Sequence, residues 1–263
     1  MPYCDVNGIK IHYEVSGEGF PFVLIHANPF DRRLWLYQAA HFSTFFKVIN
    51  VDLRGYGYSD KPEVATSIVQ MAGDVVGVCR QEGVQEAIVA GISVGGVIGL
   101  QLGLDYSETF KTLILVGCSS GPGARYQERI SGYTAGVEKY HIQHLEALVS
   151  KDFSASKLGR YLLRNFTEWD KRLNGASIVQ IFQALQNRDV THRLGELKMP
   201  ALVINGEFDN SLPRSREMAQ RISSAVHHVI PGAGHACCLE DPVAFDEIVI
   251  EFLRKRGFDR HFI

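Results

Sequence analysis

Residues 87–105 begin Ala87-Ile88-Val89-Ala90-Gly91-Ile92-Ser93-Val94-Gly95-Gly96 and continue through Val97, Ile98 and Gly99 to Asp105. The first six are an apolar run of strand length, and the residues from Val94 onward read as a helix over 94–105. Their junction is Gly-x-Ser-x-Gly on Gly91, Ser93 and Gly95, with Gly96 following. A strand that turns into a helix over one residue brings the two backbones close together. The positions two before and two after the serine must then be very small, and glycine occupies both. Such a turn lifts the serine hydroxyl above the end of the sheet, where the helix N-terminus favours a developing negative charge. The alternative, a glycine-rich helix start with a solvent-facing serine, leaves the strand before and the helix after unexplained. Ser93 is therefore the candidate nucleophile.

Outward from this junction the alternation continues. Within 9–15, Ile9, Ile11, Tyr13 and Val15 alternate with Lys10, His12 and Glu14, as in a half-buried strand. The runs 20–27, 46–53 and 112–118 are continuous apolar stretches, like 87–92. That composition suits strands covered on both faces of a mainly parallel sheet. Helices are expected at 67–82 and 94–105 between them. The fold class predicted is α/β, with a mainly parallel, doubly wound sheet. The rhythm stops at Gly121: residues 121–196 hold no strand pattern and read as helices at 128–149, 156–165 and 178–187. Strands resume at 201–206 and 226–230, followed by a helix at 242–255. The expected division is a core of 1–120 and 197–263 with an inserted helical cap, or lid, of 121–196.

Composition removes several function classes. Lys plus Arg (27) against Asp plus Glu (29) leaves a net charge of −2, so the basic excess of a nucleic-acid binder is missing. The five cysteines, Cys4, Cys79, Cys118, Cys237 and Cys238, contain no C-x-x-C pair. An odd count without that spacing argues against a disulfide framework and against a zinc site. His141 and His144 stand at helical i, i+3 spacing but lack a third ligand, so no metal and no cofactor are expected. No apolar run approaches the ~18 residues of a membrane span. The N-terminal residues show no basic-then-apolar leader, so the expected location is cytoplasmic. The expected partner is a small molecule, with neither nucleic acid nor membrane involved, and the sequence gives no indication of oligomeric state.

A serine hydroxyl becomes a nucleophile only when a base takes its proton. Of ten histidines, His235 sits in Pro231-Gly232-Ala233-Gly234-His235, a flexible loop after the last strand, which can reach the carboxyl ends of the strands. His12 and His41 lie away from strand ends, and His227 and His228 alternate within a strand. The base in turn needs a carboxylate to fix its tautomer. Asp209 lies just past the strand 201–206, with Glu207 as its nearest competitor. For the oxyanion, one donor is the Val94 N–H and the other the N–H of Asn28 in His26-Ala27-Asn28-Pro29-Phe30. Pro29 has no N–H to offer, and His26 is expected to stabilise that loop rather than act as a base.

Taken together, His26-Ala27-Asn28-Pro29, Gly91 to Gly96, Gly206 to Asp209 and Gly234-His235 resemble the α/β-hydrolase superfamily across nearly the whole chain. Asp52-Leu53-Arg54-Gly55-Tyr56-Gly57-Tyr58-Ser59-Asp60 is similar to that family's D-x-R-G-x-G-x-S turn, which is structural rather than catalytic. The order Ser93, Asp209, His235 matches the serine–acid–histidine order of the fold. Within the superfamily the loop 26–31 and the short lid resemble small bacterial carboxylesterases and 3-oxoadipate enol-lactone hydrolases. Ala27 stands where the family commonly has glycine, so positive φ is not expected there, and Ile92 replaces a polar or aromatic residue. A serine at the elbow argues against the aspartate-dependent dehalogenases and epoxide hydrolases of this fold.

The resemblance implies hydrolysis of a carboxylic ester or lactone through an acyl-enzyme. Two alternatives share the same residues: cleavage of a carbon–carbon bond in a ring-fission product, and a slow-turnover ligand sensor. Phe30, Tyr133, Phe166 and Trp169 are candidate substrate contacts, which would make the pocket mainly apolar. An enol-lactone hydrolase would instead need a cationic partner for its substrate's carboxylate. Arg125, Arg129, Arg160 and Arg164 are the lid residues able to provide one.

Overall fold

In the computed structural model, which describes residues 2–258 and 262, strand residues alternate between two cores. The strands are β1 (Tyr3–Val6), β2 (Ile9–Ser16), β3 (Pro21–Ile25), β4 (Lys47–Val51), β5 (Ala87–Ile92), β6 (Phe110–Val116), β7 (Ala201–Gly206) and β8 (Ala225–Ile230). They form one sheet in the order β1-β2-β4-β3-β5-β6-β7-β8. The β1–β2 and β2–β4 pairs are antiparallel and the others parallel. Phe22, Leu24, Ile88, Ala90, Ile114 and Val116 face one core, while Val23, Ile25, Val89, Leu113 and Leu115 face the other. Each such fully buried Val, Leu, Ile or Phe side chain stabilises the fold by roughly 1.5–3 kcal/mol.

Helices cover both faces. On the first lie α1 (Leu36–Phe42) and, later in the chain, Phe245, Val249 and Phe252 of the last α-helix; the second is covered by α2 (Ile68–Gln81) and α3 (Val94–Asp105). Between β6 and β7 come α4 (Tyr126–Ala135), α5 (Val137–Glu146), α6 (Lys151–Ala155), α7 (Lys157–Trp169) and α8 (Gly175–Gln186), with no strand among the described residues there. The chain ends with α9 (Leu212–Arg221), α10 (Cys237–Glu240) and α11 (Pro242–Leu253). Among the described residues no helix is long and apolar enough to cross a membrane. All five cysteines are buried and unpaired.

The structure departs from the sequence reading at several elements, and the short helices α1, α6 and α10 are among those not expected. The helix expected at 128–149 is two helices, because Gly136 at φ 155° breaks the run between α4 and α5. The strand expected at 112–118 ends at Val116, since Gly117 turns the chain at φ 54°. β1 pairs with β2 through a two-residue turn at Asn7 and Gly8, both at positive φ, which the sequence reading passed over. The mostly polar α9 was likewise not anticipated; it turns Met218 and Ala219 inward.

The Asp52–Asp60 turn has the structural role expected of it. Asp52 is fully buried and accepts from the Arg32 N–H (2.9 Å), the Arg32 guanidinium (3.0 Å), His12 Nδ1 (2.9 Å) and the Tyr58 N–H (3.1 Å). Arg54 closes on Asp74 by two hydrogen bonds of 2.6 and 2.8 Å. These contacts fix the loop after β3 beside the loop after β4.

Candidate active site

Ser93 joins β5 to α3 with φ 56° and ψ −117°. Asn7 is the one other non-glycine residue at positive φ among the described residues. Such a conformation costs of order 1–3 kcal/mol and persists only where the surroundings impose it. Here the imposing contacts are backbone: a Cβ on Gly91 would lie 2.1 Å from Gly95 O, and one on Gly95 would lie 2.2 Å from Ile25 O. Neither neighbour can yield, so the two glycines flanking the serine are steric requirements of the turn. Ala27 is not at positive φ.

His235 stands in the loop after β8, and its Nδ1 donates to Asp209 Oδ1 at 2.9 Å. The proton is thereby placed on Nδ1, leaving Nε2 as the basic nitrogen. The loop is clamped from the helical insertion: the Ala236 N–H donates to Leu148 O (2.8 Å). Glu240 accepts from the Gly234 N–H (2.8 Å) and from the Ser150 N–H (2.9 Å). Burial opposes charge on His235, but the charge and hydrogen bond of Asp209 outweigh it and raise the imidazole pKa above its ordinary value.

Asp209 lies in the turn between β7 and α9. Beside His235 it accepts the Ser211 N–H (2.8 Å), the Ser211 hydroxyl (2.9 Å) and Asn205 Nδ2 (2.8 Å). Asn205 Oδ1 is engaged by His227 Nε2 at 3.1 Å, which orients the amide so that its NH₂ faces the carboxylate. Burial alone would raise the Asp209 pKa; the positive side of His235 and these donors hold it down to about 2. Glu207, the competing acid, turns away and accepts the Gly232 N–H at 2.9 Å.

Beneath this pair lies a residue that sequence reasoning missed. A Cβ on Gly117 would sit 2.7 Å from His235 Cε1, 2.9 Å from Nδ1 and 3.0 Å from Asp209 Oδ2. The signal was available, as a glycine directly at a strand end beside the catalytic side of the sheet. Gly117→Ala should displace the imidazole and reduce kcat by ~10²-fold, in line with a shift of about 1 Å in a reacting group. Its alanine at positive φ should also lower stability by about 1 kcal/mol or more. Steady-state kinetics beside thermal unfolding checks this; kcat within threefold of the parent would show that the pair does not depend on the space above Gly117.

His26 is fully buried and locked in place: its Nε2 accepts the Leu53 N–H and its Nδ1 donates to Ala27 O, both at 3.0 Å. That agrees with a role in holding the loop. Among the described residues, neither the Asn28 N–H nor the Val94 N–H has a hydrogen-bond partner within the protein. Ser93, Asn28, Asp209 and His235 line one cavity of about 100 Å³.

The four candidate substrate contacts do not line that cavity. Phe30 packs edge-on against Phe166 (4.8 Å between ring centroids) and Phe166 against Trp169 (5.2 Å), with the Arg33 guanidinium 4.8 Å over the Trp169 ring. Tyr133 is buried with its hydroxyl 2.8 Å from His144 Nδ1. Phe166 and Trp169 pack α7 against the loop after β3, while Tyr133 packs among α4, α5 and α8. The walls over Ser93 are mixed, not mainly apolar: Tyr126, Leu148 and Phe182 stand beside Arg125, Arg129, Arg214 and His144. Arg160 and Arg164 are not among the lining residues.

Pimeloyl-[acyl-carrier protein] methyl ester esterase of Yersinia enterocolitica is 27% identical over 266 residues, covering 94% of this chain and 98% of its own. The 2-hydroxy-6-oxononadienedioate/2-hydroxy-6-oxononatrienedioate hydrolase of Burkholderia vietnamiensis is 27% identical over 268 residues, covering 95% and 93%. Among solved structures, the enol-lactonase from Burkholderia xenovorans LB400 superposes with a TM-score of 0.90 at 26% identity, covering 96% of this chain and 99% of that one. A family model for the alpha/beta hydrolase fold matches residues 21–242. With the eight-stranded, mostly parallel sheet and the strand–serine–helix turn at Ser93, that match establishes that the chain belongs to the alpha/beta hydrolase family.

Proposed function

We propose that the protein hydrolyses a carboxylic ester or lactone through an acyl-enzyme on Ser93. The observation that carries this reading is the position of Ser93, at a constrained strand–helix turn, on the same cavity as the hydrogen-bonded pair His235–Asp209. In this mechanism His235 Nε2 takes the Ser93 hydroxyl proton as Oγ bonds to the carbonyl carbon. The carbonyl oxygen becomes an oxyanion held by the Asn28 and Val94 N–H groups. Collapse expels the alcohol, which takes the proton from the imidazolium, and water repeats the sequence to release the acid. Asp209 holds the Nδ1–H tautomer and stabilises the imidazolium. The helices over residues 126–186 act as a cap that closes the cavity and limits the acyl group.

A second reading, carbon–carbon bond hydrolysis, is favoured by the likeness to the dienedioate hydrolase. One experiment separates the two. The purified protein is treated with a fluorophosphonate, and turnover is compared on short p-nitrophenyl esters, a lactone and a vinylogous 1,5-diketone. The expected outcome is a single adduct on Ser93 with multiple turnovers of ester and lactone. Turnover of the diketone alone would transfer the assignment to the second reading. Absence of both adduct and turnover would remove the first.

A further inference from the structure

The Ser93 cavity has a second histidine on its wall, His144 of α5, which takes no part in the triad. It is 3% exposed. Its helix is held over the catalytic loop, because Leu148, just past the helix end, accepts the Ala236 N–H at 2.8 Å. His144 Nδ1 lies 2.8 Å from the Tyr133 hydroxyl, which has no other hydrogen-bond partner among the described residues. His144 Nε2 has none among the described residues and opens on the cavity, whereas both ring nitrogens of His141, a turn earlier, are sealed off.

This geometry decides where the imidazole proton sits. A tyrosine hydroxyl has one proton to place, and among the described residues the acceptor within reach is His144 Nδ1. Donation there occupies the Nδ1 lone pair and puts the imidazole proton on Nε2, facing the cavity. The opposite tautomer would bond Nδ1–H to the tyrosine oxygen and leave a buried O–H without an acceptor. Burial and the positive charge of Arg129 hold the His144 pKa well below its ordinary value, so the ring stays neutral. Tyr140 packs on the Tyr133 ring and Phe182 on the His144 ring, with centroids 5.1 and 6.0 Å apart, which restrains both. The result is a fixed, neutral N–H donor beside the candidate nucleophile.

We propose that His144 determines specificity: its Nε2–H, oriented by Tyr133, binds a keto or ether oxygen that the substrate carries near its reacting carbonyl. This rests on the hydrolase reading above and names its substrate class, short esters or lactones with a second, uncharged acceptor oxygen. A single neutral N–H offers one hydrogen bond and no counter-charge, which matches a lone oxygen. A hydrocarbon chain would cover the N–H without pairing it, and the site disfavours such a substrate. The Asn28 and Val94 N–H groups hold the reacting oxygen, leaving His144 to read the second one. In a cavity of about 100 Å³ the two oxygens stand within a few bonds of each other. Tyr133 is a positioning residue here, acting through His144 without lining the cavity itself.

The test uses ester pairs of matched shape that differ by one oxygen: ethyl 3-methoxypropanoate against ethyl pentanoate, and ethyl levulinate against ethyl 4-methylenepentanoate. Wild-type kcat/KM is expected to favour the oxygenated member of at least one pair by about 10-fold, mainly through KM. His144→Phe keeps a ring but no donor, and should bring that ratio to within about twofold of one. His144→Gln presents an amide NH₂ near the Nε2 position and should retain the preference. Tyr133→Phe frees the ring to populate both tautomers and should lower the ratio by roughly 3-fold. Wild-type ratios near one in both pairs overturn the proposal, as do variants that slow both members in proportion. The nitrogen NMR spectrum of histidine-labelled protein reads the tautomer without turnover and needs no variant. A protonated Nε2 and a bare Nδ1 are expected, and the reverse overturns the proposal. In Ser93→Ala, where esters bind uncleaved, the Nε2 resonance should move with the oxygenated ester and not with its hydrocarbon partner. That response, in a protein with no phosphonate adduct and no ester turnover, would keep the oxygen site and remove the hydrolase reading. Equal turnover of both members, without the response, would do the reverse.

Discussion

Ser93→Ala is expected to lower ester hydrolysis by at least ~10³-fold while leaving the fold unchanged, because the other serine hydroxyls on the cavity, Ser119 and Ser211, are already donated to Gly121 O and Asp209. The residual rate would come from oxyanion donors and substrate binding alone. Stability should hardly move, within about 0.5 kcal/mol, since alanine meets the same positive φ as serine and the hydroxyl makes no hydrogen bond among the described residues. Ser93→Gly makes the complementary point. Glycine relieves the strain of φ 56°, so that variant should be more stable than the parent by about 1 kcal/mol and equally inactive. A protein that gains stability by losing its serine would display the conflict between packing and chemistry at this turn. Kinetics, phosphonate labelling and thermal unfolding of the two variants check it. Near-parental turnover in Ser93→Ala would exclude Ser93 as the nucleophile.

What the sequence disclosed, and what it withheld, follows the range of the interactions involved. The elbow was legible because its requirements are local: Gly91 and Gly95 face backbone atoms at 2.1 and 2.2 Å, and no other residue fits. β5 and α3 fall on the residues expected, 87–92 and 94–105, for the same reason. Of the two acids past the end of β7, Asp209 meets His235 while Glu207 turns to the Gly232 N–H, a difference of side-chain direction that sequence spacing alone does not carry. The pocket wall was not legible. Phe166 and Trp169 read as candidate substrate contacts, but which surface an aromatic covers depends on how the helices between β6 and β7 dock, a relation between distant segments. Arg214 was overlooked for the same reason. It sits on a polar helix that gave no apolar pattern to detect, and its place on the cavity wall appears only once α9 lies against the cavity. Gly117 belongs to the same class, since its neighbours His235 and Asp209 are each about 100 residues away in the chain.

Asp209→Asn is expected to reduce kcat by up to ~10⁴-fold and to move the pH dependence of the remaining activity. In the parent, the carboxylate accepts from His235 Nδ1, so the basic Nε2 is available to Ser93. An asparagine that presents its NH₂ to the imidazole reverses the tautomer and puts a proton where the base is needed. In that orientation the NH₂ also faces the Ser211 N–H; turned the other way it meets Asn205 Nδ2, whose orientation His227 fixes, so either rotamer leaves a donor facing a donor. An unmet buried donor costs roughly 1–3 kcal/mol of stability. The sign of the pH effects is determined by what remains. Without the Asp209 charge, burial becomes the dominant influence on His235 and depresses its pKa, so the acid limb of residual kcat/KM should shift to lower pH. The stabilisation from Asp209, held down to about 2, is complete above the ordinary carboxylate range and fades as pH falls through its folded value. That from His235, whose pKa is raised, is complete below the ordinary histidine range and fades as pH rises through the folded value. The variant should therefore be most destabilised relative to the parent between pH ~4 and ~6.5, where the carboxylate is ionised and the imidazole protonated. Unfolding curves at pH 5 and pH 8, beside a pH–rate profile, measure both effects. If Glu207→Gln proves more damaging than Asp209→Asn, or if the acid limb moves upward, Asp209 is not the group that supports the base.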